Sequence, residues 1–172
     1  MNWQINYNGH ITFGARHGSF DPTTVTRLAP GVTAMFNVFY SDNDLRRPNG
    51  QMYYRLSQQS SDLNRANNLI RGRGFTTFSA SYCLIATWEK VKFYVAQEAN
   101  RVLPETQMEN TYQEILCTDG NDGHVIYQYQ DMQWTRSQDP TTEFATVSSL
   151  SFSSDTFSLH HQSTEYERRR KA

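Results

Sequence analysis

The stretch from Tyr82 to Phe93, YCLIATWEKVKF, constrains this chain more than any other. It is long, apolar and rich in strand-forming residues, and it carries Trp88, one of 3 tryptophans. Two later segments have the character of its neighbours. Thr111–Gly120 reads TYQEILCTDG, and His124–Trp134 reads HVIYQYQDMQW. Together they predict a β-meander whose apolar face is too large to leave in water. The flanking chain must fold over that face.

The other strand signals are shorter. Ile5 and Tyr7 lead into Asn8-Gly9, and Ile11 and Phe13 follow, which is the pattern of a tight hairpin. Gly31–Tyr40, GVTAMFNVFY, reads as buried strand, and Gln51–Leu56, QMYYRL, as a further strand after the loop SDNDLRRPNG. The period changes after Ser60. Leu63, Ala66, Leu69 and Ile70 are spaced for one face of a helix, predicted over Asp62–Arg71 and stopped by Gly72 and Gly74. A helix of roughly ten residues is not stable alone, so its stripe must dock on a sheet. Phe144–Leu159 alternates enough apolar residues for one or two closing strands.

The fold expected is mainly β: an antiparallel, sandwich-like sheet with one short helix packed on it. With 172 residues and no linker or repeat, the reading is one domain over 1–163 and a disordered basic tail over 164–172. The core expected is Trp88, Trp134, Phe36, Ile85, Leu116 and Ile126.

Charge and hydropathy exclude several function classes. The formal net charge of −1 gives no attraction to nucleic acid or to an acidic membrane surface. No run approaches the ~20 apolar residues of a membrane helix. Met1 leads straight into NWQINYNGHITF without a basic start or apolar run, so a secreted protein with this sequence is expected to be a mature fragment or a piece of a longer chain. No Gly-x-Ser-x-Gly and no phosphate-cradling glycine loop is present, and no enzymatic activity is expected.

Four features carry candidate chemistry. Asp42 and Asp44 form a D-x-D pair in a loop after a buried strand, where they can hold Ca²⁺ or serve a carbohydrate site, or else simply cap backbone amides. Asp119, Asn121 and Asp122 in TDGNDG offer a second oxygen cluster, but a hairpin turn wants the same residues. The histidines His10, His17, His124, His160 and His161 show no zinc spacing. Cys83 and Cys117 are the two cysteines. If their strands pair antiparallel, positions whose numbers sum to about 200 face each other. Cys83 then meets Cys117 and Trp88 meets Tyr112. A disulfide there closes a loop of about 35 residues and is worth ~3–4 kcal/mol. The alternative is two small buried thiols packed as apolar groups.

The order of motifs resembles the NIDO domain, the extracellular module first named in nidogen. The segments are Asn6–Gly14 (NYNGHITFG), Phe39–Asp44 (FYSDND), Gly50–Arg55 (GQMYYR), Ile85–Val91 (IATWEKV) followed by Tyr94, Thr111–Gly120, His124–Thr135 and Ala145–Ser163. Tyr40 stands where the family usually has tryptophan. The closing Leu159–Ser163 lacks the family's leucine-proline-glycine-serine end. The resemblance implies a β-rich, non-enzymatic module used in matrix or cell-surface adhesion proteins, with extracellular proteins as partners. No catalytic or ligand residues are attached to the family.

Overall fold

The computed structural model describes residues 2–22, 27–97, 100, 103–135, 145–151 and 158–160. Its strands are β1 (Trp3–Asn6), β2 (His10–Gly14), β3 (Val32–Tyr40), β4 (Gln51–Ser57), β5 (Tyr82–Val91), β6 (Asn110–Thr118), β7 (Gly123–Met132), β8 (Thr146–Ser151) and β9 (Ser158–His160). The single α-helix among them, α1, spans Ser60–Arg71. One sheet has the order β1-β2-β3-β8 and the other β4-β5-β6-β7-β9. All pairings are antiparallel except β7 with β9, which run parallel. The mainly β, antiparallel architecture with one short helix is the one expected, with β7–β9 as its one parallel pair among the described residues.

The meander forms as read. β5 and β6 pair Tyr82 with Thr118, Cys83 with Cys117 and Trp88 with Tyr112, each pair summing to 200. Antiparallel alternation then sends Leu84, Ala86 and Trp88 toward the four-stranded sheet and Cys83, Ile85 and Thr87 to the other face. The inward set joins Ile11, Phe36, Val38, Tyr112, Val125, Tyr127 and Trp134 in the main core. Trp88 is fully buried, stacks on Tyr112 at 5.3 Å, and donates from its indole N–H to the Asn6 carbonyl at 3.1 Å. Trp134 donates in the same way to the Val91 carbonyl.

α1 covers part of the outward face of the five-stranded sheet. Ala66 and Ile70 pack on Cys83, Ile85, Ile115, Cys117 and Ile126. The helix begins at Ser60, two residues before the Asp62 expected. Asp62 sits in its first turn and accepts from the Ser57 hydroxyl at 2.6 Å and from Arg55 at 3.0 Å. Of the expected core, Trp88, Trp134, Phe36, Ile85 and Ile126 are buried, but Leu116 is only partly so. Its rung runs through Leu84 to Leu56, and Leu56 is 60% exposed. On that rung Leu84 and Val125 are buried, so cover is lost at the β4 edge and only in part at Leu116.

The first hairpin closes as Asn8-Gly9 predicts. Asn6 pairs with His10 across a three-residue turn, and Gly9 takes φ +78°. A Cβ on Gly9 would overlap the Phe39 carbonyl, whose carbon would lie 2.7 Å away, so both the turn and the close approach require glycine.

Candidate functional site

The loop after β3 is built into the protein by its backbone. Asp44 N–H donates to the Lys92 carbonyl, and Tyr94 N–H donates to the Asp42 carbonyl. Between them Asn43 is buried. Its backbone N–H donates to Asn8 Oδ1 at 3.1 Å, and its side-chain amide donates to the Tyr7 carbonyl at 2.7 Å and the Tyr112 hydroxyl at 2.9 Å. The hairpin turn, the Asp42–Asp44 loop and the central strand are therefore tied into one polar knot. That knot accounts for the residue types in two of the resembling segments, NYNG and SDND.

Asp44 is buried and its two carboxylate oxygens accept from Arg46, at 2.7 Å from Nε and 2.9 Å from Nη2. Asp42 is half-buried. Burial, with Asp44 beside it, pushes its carboxyl up to about 6 despite Arg46 nearby. A Ca²⁺ ion in this loop would have to displace a guanidinium from Asp44. Among the described residues, no three His, Cys, Asp or Glu side chains are grouped to hold a metal.

In the turn between β6 and β7, Asp119 Oδ1 accepts from the backbone N–H groups of Asn121 at 2.9 Å and Asp122 at 2.8 Å. Those bonds hold its carboxyl below the ordinary value. Turn geometry accounts for the whole cluster. Cys83 and Cys117 are joined in a disulfide buried beneath α1.

Two polar groups inside the fold escape a reading by motif. Glu114 is fully buried on the inward face, between Ala86 and Tyr127 in register, and neither carboxyl oxygen has a hydrogen-bond partner among the described residues. Burial raises its carboxyl well above the ordinary value. Its phase, shared with Tyr112 and with Trp88 across the pair, was the available signal. His10 is fully buried on the outward face of the four-stranded sheet, its ring 4.7 Å from Tyr40 and 5.6 Å from His17. Burial first, then His17, lowers it to about 3, against a smaller contribution from the His17 backbone. His17 Nε2 lies 3.2 Å from the Tyr40 hydroxyl. Spacing could not bring His10 and His17 together, because a covering loop does so. His124 is buried against Phe75 and Phe78. His160 lies in β9, while His161 and the basic tail fall outside the described residues.

Among the described residues, the most exposed apolar surface is an edge. β1 ends one sheet and β4 ends the other, and they meet where Trp3 contacts Tyr54 edge-on at 5.7 Å. Met52, Tyr54 and Leu56 face inward by phase, opposite Trp88, Ala86 and Leu84. The four-stranded sheet does not reach across them, so Tyr54 stays 62% exposed and Leu56 60%. A groove of about 400 Å³ runs between the two edges, lined among others by Trp3, Ile5, Tyr7, Arg16, Met52 and Tyr54.

Comparison with known proteins agrees with this architecture. The model of the nidogen-like domain family, NIDO, matches residues 1–172. Alpha-tectorin of Gallus gallus is 35% identical over 135 residues, which is 76% of this chain and 6% of that protein. Mucin-4 of Mus musculus is 32% identical over 117 residues, 62% of this chain and 3% of that protein. Nidogen-2 of Mus musculus is 28% identical over 112 residues, 63% of this chain and 7% of that protein. The chain thus spans a small fraction of the length of each of these relatives. No solved structure matches it. The family model covers the whole length of the chain, and on that ground the chain belongs to the nidogen-like domain family.

Proposed function

We propose that this chain is a non-enzymatic, extracellular protein-interaction module of a larger matrix or cell-surface protein. In this reading the β1/β4 edge is the surface that meets its protein partner. The observation that carries it is the pair Tyr54 and Leu56, inward by phase yet more than half exposed. An uncovered edge strand offers unpaired backbone groups and apolar side chains together, the combination used when an extended segment adds to a sheet. Arg55 is the one charged residue in β4, and it is engaged with Asp62, so charge does little to repel a pairing strand. The extracellular setting draws support from the buried disulfide, which persists in oxidising compartments, and from the family.

Retention of the module on a decellularised matrix film tests the reading. The wild type should be retained, and Tyr54→Ser/Leu56→Ser should lose retention while melting normally. Wild-type protein that washes off, or a double variant retained as well as wild type, would refute it.

A Ca²⁺- or carbohydrate-binding role for the Asp42/Asp44 loop is the second reading. What favours it is the nearness of the two carboxylates: burial first, and then Asp44 beside it, raise the Asp42 carboxyl to about 6, and a bound cation would offset both. A cation that binds only the folded state must raise the melting temperature, so melts with Ca²⁺ and with chelator decide it.

A further inference from the structure

The outward face of the five-stranded sheet is divided in two. Under α1, Ile85, Ile115 and Ile126 form a buried rung across β5, β6 and β7. Two residues along each strand the helix no longer covers the sheet. There Tyr53, Thr87, Gln113 and Gln128 stand in register, one from each of β4, β5, β6 and β7. With strands ~4.8 Å apart the row is roughly 14 Å long, about the length of three linked pyranose rings. A groove of about 370 Å³ lies over Thr87, Gln113 and Gln128, walled by Arg65 of α1 and extended by Thr111 and Gln130. That volume falls in the range of ligand clefts.

The chemistry of the row is specific. Its four side chains are uncharged. Gln113 Nε2 donates to Thr87 Oγ1 at 2.6 Å, which holds both side chains in place and leaves the Gln113 carbonyl as acceptor and the Thr87 hydroxyl as donor. Gln128, opposite Gln113, adds a second amide with both functions. Paired donors and acceptors in a line match the vicinal hydroxyls of sugars. Tyr53 closes one end, its ring 49% exposed and its hydroxyl donating to Gln51, and offers a face to the C–H side of a pyranose.

Other occupants fit less well. β5, β6 and β7 spend their backbone groups on the ladder, so under Thr87, Gln113 and Gln128 a peptide finds no edge, and the free edge of β4 lies beyond the Tyr53 end of the row. A polyanion finds one cation, Arg65, with Glu89 on the same sheet face. We propose that the Tyr53–Thr87–Gln113–Gln128 row binds a short neutral oligosaccharide. The site is on the opposite face of β4 from Tyr54 and Leu56 and does not depend on the protein-docking edge.

The test is an NMR amide-shift titration of the folded module with triacetylchitotriose, maltotriose and lacto-N-tetraose, each at millimolar concentration. At least one sugar should give saturable shifts at Thr87, Gln113 and Gln128. Gln113→Ala/Gln128→Ala should weaken that sugar about tenfold or more at unchanged melting temperature, while Leu56→Ser binds normally. Should the double variant not fold, Tyr53→Ala at its exposed position decides, with the same loss expected. Absence of shifts with all three sugars, shifts confined to other surfaces, or variants that bind like wild type would overturn the proposal.

Discussion

Replacing Cys83 and Cys117 together by alanine removes the one cross-link available to a chain with 2 cysteines. The bond joins residues 34 apart in sequence. Loop-closure entropy in the unfolded chain makes such a bond worth about 3.8 kcal/mol at 25 °C. Both positions are buried beneath Ala66 and Ile70, so lost sulfur contacts add to this loss and do not offset it. At ~2–4 °C per kcal/mol for a domain of this size, the melting point should fall by roughly 8–15 °C. A domain with ~5–15 kcal/mol of stability should still fold at 25 °C. Urea unfolding followed by tryptophan fluorescence measures the change, and the m-value should rise because the open chain exposes more surface. A loss under ~1 kcal/mol, at an unchanged m-value, would refute the argument that the bond restrains the unfolded chain.

Four further outcomes are expected. Trp88→Ala should cost ~3–5 kcal/mol in urea unfolding, because it empties a fully buried site and leaves the Asn6 carbonyl without its indole donor; ~1 kcal/mol or less would show that Trp88 is not core. Gly9→Ala should cost ~2 kcal/mol or more by the same assay, since positive φ and the Phe39 carbonyl both oppose a Cβ. The Glu114 carboxyl is raised in the folded state, so its ionisation opposes folding: the stability of wild type minus Glu114→Gln should fall as pH rises from 4 toward 7, as read from melts across that range. The His10 ring is lowered from 6.5 to about 3, the opposite sign: the stability of wild type minus His10→Phe should fall as pH drops below 6.5.

Where a segment's structure follows from its own periodicity, it was legible in the sequence. The β5/β6 register followed from one sum because both strands are long and paired through a single connection. Asn8-Gly9 announced its hairpin because turn chemistry is local. The helix stripe named Ala66 and Ile70 as docking residues for the same reason. What stayed hidden depends on how far one layer reaches over another. Leu116 has the right phase but sits on the rung that ends at exposed Leu56. His10 has the phase of a solvent-facing residue and is buried by a loop with no periodicity to betray it. Asp44 carries the pattern of a metal ligand, and its oxygens are engaged by a neighbour two residues away. The Tyr53–Gln128 row is a property of four strands in register, and no one strand contains it.

The most direct test of the interaction reading is hydroxyl-radical footprinting of the module, free and retained on matrix. The account predicts protection on retention at Trp3, Tyr54 and Leu56, with Phe20, which is 55% exposed and does not line the edge groove, labelled equally in both states. Unchanged labelling along β4, with protection elsewhere on the surface, would contradict it.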